Sequence, residues 1–125
     1  MSNSTVLVVD DEADIRQLLR IFFERQGFRV LLANDGVNAI TTAQHYLPDL
    51  ILMDIQMPFK TGIEAVSDLR ADTRFTKTPI IALTAYARVQ VAADLIRAGF
   101  DEALYKPIDF PALQHTVGAL LRSAK

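Results

Sequence analysis

The chain has 125 residues, half of them apolar and 22% charged, enough to build one cored domain and too apolar for a disordered tail. Thirteen Lys and Arg against fifteen Asp and Glu leave a net charge of −2 with no basic block to follow a nucleic-acid backbone. Zero cysteines exclude disulfides and thiolate chemistry. No apolar run approaches the roughly 18 residues of a membrane span, and Met1-Ser2-Asn3-Ser4-Thr5 lacks the pattern of a secretory leader. The expectation is a single soluble, cytoplasmic domain over residues 1–125.

Short apolar runs alternate with helix-length segments. Val6 to Val9 reads as a strand, followed by a helix whose stripe is Ile15, Leu18, Leu19, Phe22 and Phe23 and which Gly27 closes. Phe28 to Ala33 is the second strand, and Asn34-Asp35-Gly36 turns into a helix carrying Val37, Ile40 and Ala43. Leu50 to Met53 is apolar throughout, the pattern of a strand covered on both faces. A third helix follows Gly62 with Ile63, Val66 and Leu69 inside, and Pro79 to Leu83 is the fourth strand. The fourth helix is expected to turn Val89, Ala92, Ala93 and Ile96 inward. Residues 101–105 form a fifth strand, and Phe110, Leu113, Val117, Leu120 and Leu121 line the last helix. Five strand–helix units predict an α/β fold, a doubly wound parallel sheet of flavodoxin-like order 2-1-3-4-5.

In such sheets ligands bind beyond the carboxyl ends of the strands. The first strand ends in Asp10-Asp11-Glu12, the third in Asp54, the fourth in Thr84 and the fifth in Lys106-Pro107. The first and third strands are neighbours in this order, which predicts Asp10, Asp11 and Asp54 in one pocket. Three carboxylates there repel one another and call for a cation. Oxygen ligands without imidazole or thiolate favour Mg²⁺, with Mn²⁺ or Ca²⁺ as alternatives. Each residue also has a plain structural role open to it. Asp11 can cap the first helix with Asp14 in support, Thr84 can cap the fourth, and Asp54 can form an ion pair with Lys106. His45 and His115 lack metal-ligand spacing and read as solvated surface.

Val8-Val9-Asp10-Asp11-Glu12, Leu52-Met53-Asp54-Ile55-Gln56-Met57-Pro58 with Gly62, Ile81-Ala82-Leu83-Thr84-Ala85 and Lys106-Pro107 occur in order at fixed spacings. The sequence thereby resembles the receiver domain of the two-component response-regulator family over essentially its whole length. The resemblance implies that Asp54 accepts a phosphoryl group from a histidine kinase or phosphotransfer protein. It further implies that Asp10, Asp11, Asp54 and the backbone carbonyl of Gln56 hold Mg²⁺, that Thr84 and Lys106 contact the phosphoryl group, and that Lys106-Pro107 is cis. Phosphorylation would shift the face of the fourth helix, fifth strand and last helix to alter binding of a downstream protein, with no nucleic acid bound directly and no membrane.

Aspartates are ionised at neutral pH, so attack on phosphorus requires no general base, and catalysis rests on positioning and charge neutralisation. The chain makes and loses its own modification rather than turning over a free substrate. An aspartate-nucleophile phosphatase is the enzymatic alternative, but it wants an acid two residues after the nucleophile, where Gln56 stands. A receiver acting through protein contacts without phosphorylation is the other. Two departures from the family pattern stand out. Ala103 replaces the aromatic expected three residues before the lysine, leaving Tyr105 as a partial substitute, and bulky Gln56 and Tyr86 flank the water route, which predicts slow loss of phosphate. Val91 and Leu95, with Tyr105, are expected to form an apolar patch for a partner, and Arg16 and Arg20 to be available to a kinase.

Overall fold

The computed structural model describes residues 4–57, 59–85 and 89–123, with positions 89 and 90 described by their backbone alone. Five strands, β1 (Thr5–Val9), β2 (Arg29–Ala33), β3 (Leu50–Asp54), β4 (Ile80–Thr84) and β5 (Glu102–Tyr105), form one parallel sheet in the order β2-β1-β3-β4-β5. Five helices alternate with them: α1 (Ala13–Arg25), α2 (Gly36–Tyr46), α3 (Gly62–Arg70), α4 (Val89–Ala98) and α5 (Phe110–Ser123). A 3₁₀ turn, Thr73–Phe75, precedes β4.

Strand alternation divides the core between the two faces of the sheet. Leu7, Val9, Ile51, Met53 and Ala82 pack with Ala39 and Ala43 of α2, Ala65, Val66 and Leu69 of α3, and Leu95 of α4. Val6, Val8, Leu50, Leu52, Ile81 and Leu83 pack with Leu19 and Phe23 of α1 and Leu113 and Val117 of α5. Every residue of β3 and β4 is buried, as expected of central strands covered on both sides. The edge strand β5 leaves Glu102 and Tyr105 exposed.

Helix starts follow local chemistry. Asp35 caps α2 by accepting from the Asn38 amide at 2.7 Å, and Thr61 with Glu64 forms a reciprocal capping box on α3. Helix α1 differs from expectation: its N-cap is Glu12, whose side chain makes no capping bond, and Asp11 lies outside the helix. The expected capping of α4 by Thr84 involves positions 86–88, outside the described residues. Gly27, just past the end of α1, has φ 91°, a left-handed conformation that glycine adopts without steric cost.

Several stripes are rotated from their predicted positions. Leu18 is 52% exposed while Leu19 and Phe23 face the sheet, and Val37 and Ile63 give way to Ala39 and Ala65. Small side chains, Ala39 and Ala43 on α2 and Ala65 on α3, are fully buried there, so the inner face is not set by bulk. The largest correction concerns α4. Leu95 is buried and Val91 packs against the same cluster, whereas Ile96 is 46% exposed. Gln90, Asp94 and Arg97, the polar residues between 89 and 98, share one side of the helix, so periodicity marks the opposite side as apolar, but that arc is broad enough to hold both Leu95 and Ile96 and does not choose between them. Phe100, buried just beyond the helix in the same cluster, sides with Leu95. The predicted partner patch of Val91 and Leu95 is therefore core.

Candidate functional site

The connector between β1 and α1 is three residues long, and all three are acidic. Asp10 is fully buried at its start, while Asp11 and Glu12 are exposed. Asp54 closes the central strand β3 at 5% exposure, next to β1 on one side and β4 on the other. Thr84 ends β4, buried, and pairs in register with Tyr105, which puts Lys106 just past the end of β5. The Lys106 amide donates to the Thr84 carbonyl at 2.8 Å, and Lys106-Pro107 is cis.

Asp10 and Asp54 are held alike. One carboxylate oxygen of each accepts from the amide two residues on, Glu12 for Asp10 at 2.9 Å and Gln56 for Asp54 at 3.1 Å. The other oxygen of each accepts from Lys106 Nζ, at 3.2 Å for Asp10 and 3.1 Å for Asp54. The ammonium also lies 3.7 Å from Glu12 Oε1. The ion pair weighed for Asp54 thus exists, and Asp10 shares it.

Among the described residues, the acidic trio whose ligand atoms come within 4.8 Å of one another is Asp10, Asp11 and Glu12. The expected trio of Asp10, Asp11 and Asp54 differs from it by one residue, and Lys106 Nζ stands between Asp54 and Asp10. Glu12, which directly follows the acidic pair, stands in the observed trio. Gln56 is exposed beside Asp54; Tyr86 lies outside the described residues. His45 and His115 are exposed helical residues, as expected. Arg16 does not extend freely toward a kinase: its Nη1 donates to the Asp10 carbonyl at 2.7 Å.

Burial holds the Asp10 carboxyl above the ordinary carboxylate range, and the neighbouring Asp54 charge pushes the same way. The Glu12 amide and Lys106 oppose this without cancelling it. Burial alone would lower Lys106, but Asp10 and Asp54 outweigh it and hold the ammonium above its ordinary 10.5.

The signs of these two effects are opposite. Folded Asp10 binds its proton more tightly than unfolded Asp10, so its contribution to stability falls as pH rises from 3.8 through the folded value. The Lys106 contribution is complete below 10.5 and is lost as pH rises through its raised folded value. Asp10→Asn is therefore expected to stabilise the metal-free protein at neutral pH. Urea denaturation in EDTA tests this, and the gain should shrink as pH falls toward 3.8.

Asp10, Asp11, Glu12 and Asp54 carry four formal negative charges, against Lys106 and Arg16 close by. Two negative charges remain in excess. Hard oxygen donors with that excess fit a small divalent cation such as Mg²⁺.

Residues 6–118 match the family model of the response regulator receiver domain. The chain belongs to that family. This receiver is 32% identical over 124 residues to the polar-differentiation response regulator DivK of Brucella ovis, covering 99% of this chain and 100% of DivK. It is 38% identical over 117 residues, 94% of its length, to the regulatory protein AtoC of Escherichia coli, of which it spans only 25%. Among solved structures it resembles the receiver domain of a Francisella response regulator, with TM-score 0.91, 31% identity, and coverage of 98% of this chain and 100% of that one. It also resembles the receiver domain of the Pseudomonas aeruginosa sensor histidine kinase PA1611, with TM-score 0.87, 30% identity, and coverage of 95% and 98%. That protein has a magnesium ion coordinated in its active-site cleft. Membership supports a phospho-accepting role in two-component signalling rather than metabolic turnover. No helix among the described residues is long and apolar enough to cross a membrane.

Proposed function

We propose that this chain is a single cytoplasmic receiver domain that takes a phosphoryl group on Asp54 from a histidine kinase or phosphotransfer protein. The observation that carries this reading is the single ammonium of Lys106 held between buried Asp10 and Asp54 at the ends of adjacent strands. An Asp54 oxygen forms the new bond to phosphorus as the P–N bond of the donor phosphohistidine breaks, and the departing imidazole keeps the electron pair and takes a proton. Asp10, Asp11, Asp54 and the Gln56 carbonyl are assigned to Mg²⁺, with Glu12 close enough to join through its carboxylate. When bound, the ion neutralises charge on the transferring group. Lys106 supplies a second positive charge, and the Thr84 hydroxyl is assigned a hydrogen bond to a phosphoryl oxygen.

Added charge at Asp54 would draw Lys106 and Thr84 inward and shift the population of the α4–β5–α5 face, which a downstream protein then reads. On that face Ile96 and Tyr105, not Val91 and Leu95, present apolar surface. Ala103 packs against the core, which leaves Tyr105 as the aromatic available for switching on this strand.

The test is incubation with acetyl phosphate and Mg²⁺ followed by intact mass. The wild-type chain should gain one phosphoryl group, and Asp54→Asn or EDTA should abolish the gain. Retention of the gain in Asp54→Asn would remove Asp54 as the acceptor.

A further inference from the structure

The connector leading into α1 carries most of the acidic cluster, yet the Glu12 side chain makes no capping bond at the helix start. Something else must fix the connector against the sheet. Asp10 is the residue on which that placement converges. Its amide donates to the Ala33 carbonyl at 3.2 Å, one side-chain oxygen accepts from the Glu12 amide, and the other accepts from Lys106. Its carbonyl, beyond the last ladder position of β1, accepts from Arg16 Nη1 at 2.7 Å. Arg16 belongs to the first turn of α1, where its amide donates to the Glu12 carbonyl at 3.1 Å. One residue therefore ties the helix start to the strand end across the three acidic positions.

We infer that Arg16 is a positioning residue that presets the spacing of the Asp10, Asp11 and Glu12 carboxylates for a divalent cation. The inference rests on the receiver reading above. A partly buried charge-assisted bond to a carbonyl is strong enough to hold a short connector in one shape. Outer contacts of this kind typically carry about 10- to 100-fold of a site's metal affinity. Simple electrostatics predicts the reverse. A guanidinium bonded to the Asp10 carbonyl, on the connector that carries the carboxylates, repels an incoming cation, so its removal would tighten binding if charge were its only influence.

Calorimetric titration with Mg²⁺ on wild type, Arg16→Met and Arg16→Lys separates the two, with thermal melting and amide exchange at Glu12 measured alongside. Positioning predicts binding about 10-fold weaker in Arg16→Met, faster exchange at Glu12, and partial recovery of both in Arg16→Lys, whose ammonium can still donate to the carbonyl. Equal or tighter binding by folded Arg16→Met overturns the inference while leaving the receiver reading intact. Should Arg16→Met fail to fold, Arg16→Lys decides: binding intermediate between wild type and none supports positioning, and wild-type affinity with unprotected Glu12 overturns it. A wild-type chain that bound no Mg²⁺ would overturn the metal assignment and this inference together.

Discussion

Lys106→Met is expected to cost about 3 kcal/mol of stability at neutral pH, the penalty for leaving a buried charge without its partner. The ammonium separates two carboxylates, one fully buried and the other 5% exposed, so its removal exposes each to the other. Asp10, already held above the ordinary carboxylate range, can relieve the repulsion by taking up a proton. The loss should therefore shrink as pH falls, and urea denaturation at neutral pH and again at about pH 5 measures both. A variant as stable as wild type at neutral pH would show that solvent already screens the pair. Phosphorylation of Asp54 by acetyl phosphate should continue in the variant at a reduced rate, because the metal assigned to the acidic cluster remains available to it.

Gly62→Ala is the second large effect. A Cβ at this position would sit 2.6 Å from the Asp54 carbonyl oxygen and 2.7 Å from the Ile55 Cα, both backbone atoms of the strand end that carries the proposed phospho-acceptor. The first contact must open by about 0.8 Å to reach the 3.4 Å at which ordinary contact begins. No flexible side chain is there to yield, so the strain falls on β3 and on the connector holding Gln56. The Gly62 amide is also bound to the Ile55 carbonyl at 3.1 Å, which ties the start of α3 to the same place. Overpacking against backbone is expected to cost about 3 kcal/mol. Misplacement near an ångström should slow acetyl phosphate incorporation about 100-fold. Intact-mass time courses and thermal melting check both, and unchanged kinetics in Gly62→Ala would show that the strand end tolerates the shift.

The order of elements and the sheet topology were legible because apolar runs and helical spacing alternate cleanly, and right-handed crossovers leave few arrangements. The residues at four strand ends were legible for the same reason, since parallel strands deliver their last residues to one edge. Helix faces were harder. In α4 the apolar arc holds both Leu95 and Ile96, and what selects Leu95 is the cluster it joins with Val66 and Leu69 of α3 and the sheet, long-range packing that no local window carries. The alanines of α2 and α3 carried a related signal that bulk-weighted reading overlooks. The pairing of Lys106 with Asp54 was legible from the strand ends, whereas its second bond, to Asp10, and the reach of Arg16 to a main-chain carbonyl have no sequence signature, because each depends on where a long side chain finds its partner in space.

Lys106 lies 96 residues from Asp10 and 52 from Asp54, and it enters from β5, at the sheet's edge. A border strand is bonded on one side only and is among the first segments to open in local fluctuations. Each such opening would withdraw the ammonium and leave the two aspartates facing each other. In the proposed receiver role, readiness of the site would be coupled to how firmly this edge strand stays zipped.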